Sequence, residues 1–284
     1  MEQNIICLTA ACTELGLQFE FIDEEHNFLR VRCNGQAHYF QLNRTPFNAE
    51  SVASICKDKY HTYCLLKEYV RFPKTLSFMS YNVDHRYKEY LQYRSLQEIL
   101  AVVESELSYP CIIKSNSGSF GSNVFLCHSR TEAQDAIQRI FNKNSHLYDY
   151  ILLAQEFVPT KEEYRLVCFK EEPVLAYKRS ANPREFNARY WENSASRAVF
   201  VTQQEIIQEL QEFIRPVYGV LNIGFVGFDI IRSFDNELYV LELNSGPRFD
   251  HFIDSNGPEH VISMYKDILS RWIEKMPEET RGGE

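Results

Sequence analysis

The stretch GFDIIRSFDNELYVLELNSG, residues 227–246, reads as two apolar strands joined by a tight turn. The polar break at Asp235-Asn236 has the composition of a two-residue hairpin loop. With that loop, Asp229 stands directly across from Glu242, and Gly227 across from Asn244. Side chains alternate between the faces of a strand, so Asp229, Glu242 and Asn244 are expected on one face. Two carboxylates placed opposite one another repel, and an ionised carboxylate is costly to bury without a partner. A divalent cation reverses that cost. Two carboxylates and an amide, with no sulfur or imidazole, make a hard all-oxygen donor set. Such a set suits Mg2+, which keeps waters and shares its shell with phosphates. The plainer reading is a solvent-facing strand with ordinary charges.

A second hairpin lies upstream in EEYRLVCFKEEPVLAYKRS, residues 162–180. A turn at Glu171-Glu172 would set Arg165 opposite Lys178, with Glu163 on the same face. Two facing cations call for an anion, and phosphate fits that need; a solvated charged hairpin is the competing reading. A third element, KSNSGSFGSNV from Lys114 to Val124, lies between the expected strands 109–114 and 124–127. Gly118 and Gly121, interleaved with Ser117 and Ser119, give a flexible backbone whose amides can cover phosphates. It lacks the Gly-Lys-Ser/Thr of a Walker A loop and the spacing of a dinucleotide fingerprint.

The whole chain bounds these readings. Its 284 residues are 44% hydrophobic and 24% charged, a globular composition with room for one large domain or two to three small ones. A formal charge of −9 argues against nucleic acid or an anionic membrane as a general partner. No apolar run reaches the ~20 residues of a membrane helix. The start, MEQNIICLTAACTELG, lacks the basic leader of a signal peptide. Eight cysteines are scattered singly without metal-ligand spacing, and Cys64, Cys111 and Cys168 fall in apolar stretches as small core residues. A reduced, cytoplasmic protein is expected.

Periodicity supplies the rest of the frame. Residues 18–42 alternate polar and apolar around an Asn34-Gly35 turn. Helical spacing runs over 49–70, 96–107 and 131–142, and over a last helix from Pro258 whose apolar face includes Val261, Tyr265, Ile268, Leu269 and Trp272. A further strand is expected over 149–158, and fraying after Pro277. The pattern is mixed α/β with much antiparallel strand, not a doubly wound parallel sheet.

In this order, strand, lysine, glycine loop, strand, then QEF…E-Y-R, then G-x-D…E-x-N, the chain resembles the ATP-grasp superfamily from about Asp58 to Gly257. It is most similar to the branch of cyanophycin synthetase, bifunctional glutathione synthetase and D-alanine–D-alanine ligase. Asp58-Lys59-Tyr-His-Thr62-Tyr-Cys-Leu65-Leu66 followed by Phe72-Pro73 resembles that branch's D-K-x-x-T-x-x-L-L…P stretch. The resemblance implies an α+β ATP-grasp fold, with two α/β subdomains clasping ATP. A short N-terminal α/β domain is expected over 1–75, a lid subdomain over 76–157 and a C-terminal subdomain with the Mg2+ site over 158–284.

It further implies an ATP- and Mg2+-dependent ligase that joins a carboxylate to an amine through an acyl phosphate. Lys59 and Lys114 fall on the phosphate-contacting lysines, Gln155, Glu156, Phe157 and Val158 on the adenine hinge, and Glu163 on the ribose-binding acid. Asp229, Glu242 and Asn244 fall on the metal ligands. Loop 117–122, with Ser117, Gly118, Ser119 and Gly121, would close over ATP. Lys178 would neutralise phosphate charge, and Arg165, Arg179 and Arg248 would hold the acyl phosphate and substrate carboxylate; His251 is a lesser candidate for a base. The chain departs from the branch at Ser115, where proline is usual, at Asn123, and at Gly246-Pro247-Arg248, where Pro-Gly is usual. Expected partners are small-molecule carboxylate and amine substrates, amino acid or peptide, with a homodimer as the expected assembly. The competing functions are a kinase-like phosphotransferase and a non-catalytic nucleotide-binding module.

Overall fold

The computed structural model describes residues 1–118, 121–180 and 197–274. Its strands form three antiparallel sheets. The first joins β1 (Gln18–Phe21), β2 (Phe28–Cys33) and β3 (Gln36–Gln41), with the β2–β3 turn at Asn34-Gly35 as expected. The second has four strands, in the order β4 (Thr75–Met79), β7 (Ile151–Glu156), β5 (Cys111–Ser115) and β6 (Val124–Cys127). The third has five, in the order β10 (Arg197–Phe200), β9 (Glu172–Ser180), β8 (Thr160–Phe169), β11 (Phe225–Ser233) and β12 (Leu238–Asn244).

Helices cover these sheets because each sheet has an apolar face to bury. One face of the four-stranded sheet, through Cys111, Ile113, Leu152 and Ala154, packs on α4 (Leu96–Glu106) and α5 (Arg130–Ile140). The period-two alternation then sends Lys114 and Gln155 to its other face.

The five-stranded sheet is covered on both sides. Leu166, Cys168, Val226, Phe228 and Ile230 pack on α2 (Glu50–Lys57) and α6 (Gln204–Tyr218). On the opposite face Val167, Phe169, Leu175, Tyr177 and Phe225 share a core with α1 (Gln3–Glu14), the three-stranded sheet and α8 (Glu259–Glu274). That second face changes character along its length. The same alternating positions continue as Glu163, Arg165, Arg179 and Asp229, so apolar core gives way to a charged floor.

Two expectations change. The helix expected over 49–70 is split into α2 and α3 (Lys59–Leu66) at Asp58, which stays extended and caps α3 by accepting from the amide of His61 at 2.8 Å. Cys64 is exposed, because that face of α3 points to solvent; the other seven cysteines are buried. Helices α1, α6 and the short α7 (Asp250–Asn256) were not read from the sequence. The tail beyond Pro277 lies outside the described residues. No described helix is long and apolar enough to cross a membrane.

Candidate functional site

The β11–β12 hairpin brings Asp229 opposite Glu242 and Gly227 opposite Asn244. It does so by a different turn from the one expected. Ser233 donates its amide to the Glu237 carbonyl at 2.9 Å, which leaves a three-residue loop ending at Asn236 with φ +63°. That loop shifts the strands by one position, so Arg232 faces Leu238 and Ile230 faces Val240. A bulge at Leu241 shifts them back before Asp229.

The second hairpin corrects a larger expectation. Phe169 pairs with Glu172, so the turn is Lys170-Glu171, with Lys170 at φ +56°, and a bulge follows at Val167/Cys168. Arg165 therefore faces Tyr177, and Arg179 faces Glu163. Lys178 falls on the opposite face, where it donates to Glu162 at 3.1 Å beside the Arg232–Glu209 pair. A one-residue slip moves every side chain to the other face. Lys178 is thus removed from the anion-holding face, and Arg179 joins Arg165 there.

Arg165 and Asp229 meet in a bidentate pair, both bonds 2.5 Å, at 9% and 2% exposure. Arg179 lies 3.6 Å from the same carboxylate and also pairs with Glu163. Asn244 Nδ2 donates at 3.3 Å to both Asp229 and Glu242, so the three expected metal ligands do converge. Burial opposes ionisation of Glu242, but Lys59, then Lys114, Asp229's hydrogen bond and Arg165 outweigh it and hold its carboxyl well below the usual range. Glu163 moves the other way, raised mainly by burial and by Asp229 against the pull of Arg179.

Lys59 ties this floor to the glycine loop. Its Nζ is 3.4 Å from Glu242 Oε2, 2.5 Å from the Gly118 carbonyl and 3.3 Å from that of Asn116. On the four-stranded sheet Lys114 donates to Gln155 Oε1 at 2.9 Å, and Gln155 in turn donates to Thr75 at 2.7 Å. Among the described residues the four cations Lys59, Lys114, Arg165 and Arg179 thus outnumber the carboxylates Glu163, Asp229 and Glu242.

The loop itself is anchored by residues with no local sequence signal. Asp149 accepts from the Ser117 amide at 2.8 Å, Asn116 Oδ1 accepts from the Tyr60 amide at 3.0 Å, and Asn123 donates to the Leu147 carbonyl at 2.6 Å. Gly121 adopts φ +59°, a conformation that favours glycine. Ser119 lies outside the described residues. Of the hinge segment, Gln155 points at Lys114, Glu156 is exposed and accepts from the Lys74 amide at 3.2 Å, Phe157 is half-buried and Val158 is buried. Arg248 pairs with Glu2 at 3.8 Å. His251 sits on α7 with its imidazole held below its ordinary range by burial and by Arg179, against Asp254.

Burial, and then Lys59, lowers the Lys114 ammonium to about 8, against a weaker pull from Glu242. Its folded value lies below its unfolded one, so the charged form costs stability below about pH 8, and that cost is relieved as pH rises toward the unfolded value. An anion in the cleft restores the proton. ATP binding between about pH 8 and 10 is therefore expected to take up close to one proton and to weaken as pH rises. Calorimetry in buffers of different ionisation heat checks this, with Lys114→Met showing no uptake.

The RimK-like ATP-grasp domain model matches residues 86–268, and the chain belongs to that family. The alpha-aminoadipate–LysW ligase LysX of Sulfurisphaera tokodaii is 24% identical over 243 residues, covering 82% of this chain and 74% of that protein. A probable alpha-L-glutamate ligase of Azotobacter vinelandii is 25% identical over 175 residues, covering 61% of this chain and 54% of that protein. Among solved structures, the VanG D-Ala:D-Ser ligase of Enterococcus faecalis superposes with TM-score 0.56 at 17% identity, over 78% of this chain and 63% of that one. The D-alanine–D-alanine ligase of Bacillus anthracis complexed with ATP gives TM-score 0.53 at 18% identity, over 78% and 66%. The fold is ATP-grasp, α+β with three antiparallel sheets. The chain spans about half the length of several of the curated relatives it matches.

Proposed function

We propose that this chain is an ATP-dependent carboxylate–amine ligase that forms an amide bond on amino acids or a peptide through an acyl phosphate. The observation that carries the reading is Lys59. It bridges the glycine loop and Glu242, so the phosphate cover and the hairpin carboxylates address one space between the two large sheets. The family and its ligase relatives support the same chemistry.

The donor set fits Mg2+. Among the described residues, no group of three or more His, Cys, Asp or Glu side chains forms a ready-made cation site. Glu242 would supply a carboxylate oxygen, Asp229 would supply one on releasing part of its pairing with Arg165, and a half-turn of the Asn244 amide exchanges Nδ2 for an oxygen. Two carboxylates and an amide would leave about half of an octahedral shell to phosphate and water. Bound there, Mg2+ supplies neutralisation of phosphate charge.

The chain's own residues do the rest by position and charge. Lys59 and Lys114 draw negative charge off the β- and γ-phosphates while Gln155, Glu156, Phe157, Val158 and Glu163 frame the nucleoside. A substrate carboxylate oxygen attacks the γ-phosphorus, the bond to ADP breaks, and an acyl phosphate results. Arg165 and Arg179 lie on the floor where that charge develops. The amine nitrogen then attacks the acyl carbon, phosphate departs, and the amine loses a proton. Arg248 is assigned to a substrate carboxylate, so Arg248→Ala is expected to raise KM for the acid far more than KM for ATP in steady-state kinetics.

Incubation with ATP, Mg2+ and amino-acid pools tests the reading by mass spectrometry. A product equal in mass to acid plus amine less water, with matching ADP and phosphate, is expected. A phosphorylated product without condensation, or ATP binding without turnover, would replace it with a kinase or a nucleotide-binding module.

A further inference from the structure

Beyond the E-x-N strand the backbone leaves the sheet, and its carbonyls need partners that no neighbouring strand supplies. Three asparagines of the N-terminal segment meet that need in series. Asn48 Nδ2 donates to Ser245 O at 3.4 Å, Asn43 Nδ2 to Gly246 O, and Asn4 Nδ2 to Pro247 O at 2.9 Å. Asn4 then accepts from the Phe249 amide at 3.3 Å, so its buried side chain straddles Arg248. Asn48 also reaches the start of the partner strand. Its Oδ1 accepts from the amides of Gly224 and Phe225 at 2.8 and 3.0 Å, and its Nδ2 donates to Phe225 O at 2.7 Å.

The close fit extends to the glycines. A Cβ on Gly246 would lie 2.6 Å from the Asn43 carbonyl oxygen, and one on Gly224 would collide with the Phe47 carbonyl. Residues 43–48 therefore lie flush across the open end of the hairpin that carries Asp229, Glu242 and Asn244, where both of its strands terminate. The family match covers residues 86–268, which includes the hairpin and none of the three asparagines.

We propose that Asn4, Asn43 and Asn48 are positioning residues, through which the N-terminal segment sets the metal-side hairpin and the Arg248 turn. This deepens the ligase reading and rests on its assignment of Asn244 and Arg248. A side-chain amide suits the task because it donates to one backbone group while accepting from another.

The test uses the full chain with ADP and Mn2+ as probes. Three measurements are made on wild type, Asn48→Ala and Asn43→Ala: ADP affinity in EDTA, ADP affinity with Mn2+, and amide exchange over 244–251. Mn2+ is expected to tighten ADP binding in the wild type. Each variant should shrink that gain about tenfold, the size seen when a partner of a metal ligand is lost. Affinity in EDTA should hold, and exchange over 244–251 should rise while β8 stays protected. A merely structural role would lower Tm and leave the metal gain intact, which would overturn the proposal. A wild type with no Mn2+ gain would instead remove the metal assignment. Exchange then decides alone: faster exchange over 244–251 in the variants supports the clamp, and unchanged exchange overturns it.

Discussion

Glu242→Gln is expected to lower ligase kcat/KM about a thousandfold, the scale of losing one preorganised electrostatic group at a phosphoryl-transfer centre. The substitution keeps the side chain's shape and removes only its charge. That charge is present at any working pH, because Lys59 and Lys114 outweigh burial and hold the carboxyl well below its usual range. The glutamine can still accept from Asn244, and Lys59 keeps the carbonyls of Asn116 and Gly118. Tm should therefore stay within a few degrees of wild type. Steady-state assay at varied Mg2+ beside a thermal melt separates the two effects. Wild-type turnover in this variant would remove Glu242 from the metal set.

The largest stability effect is expected at Arg165. Asp229 is only 2% exposed and receives both of its short bonds from that guanidinium. Arg165→Met leaves Arg179, at 3.6 Å, as its nearest remaining cation among the described residues. Breaking a buried pair from one side costs about 3 kcal/mol, because the surviving charge stays desolvated. Arg165→Met combined with Asp229→Asn should recover most of that loss, since both charges leave together. Urea denaturation of the two variants checks this; a double variant no more stable than the single one would contradict it. Neither is expected to turn over substrate.

The metal-side hairpin was legible because its signal is local. Asp229, Glu242 and Asn244 sit within one turn of each other in sequence, and any short loop places them near one another. The inferred pairing held although the turn did not, since the three-residue loop and the Leu241 bulge offset each other. In the second hairpin the turn came one residue earlier than expected, a two-residue shift in pairing that the bulge at Val167/Cys168 only half restores before Arg165, so Lys178 changed faces. Bulges arise from how a strand must twist over its neighbours, and β-strand sequence carries little trace of that. The anchors Asn4, Asn43, Asn48, Asn116 and Asp149 were out of reach for another reason. Each acts on backbone groups far along the chain, and a solitary asparagine or aspartate reads as ordinary loop chemistry.

The central claim is that a carboxylate is activated by phosphoryl transfer between the two sheets. Amino-acid pools exchanged to carry 18O in their carboxylates, incubated with the enzyme, ATP and Mg2+, test it most directly. One 18O atom should appear in the released phosphate for every amide formed, because the carboxylate oxygen that attacks the γ-phosphorus leaves with it. Amide formation with unlabelled phosphate, or with AMP and pyrophosphate in place of ADP and phosphate, would contradict the account.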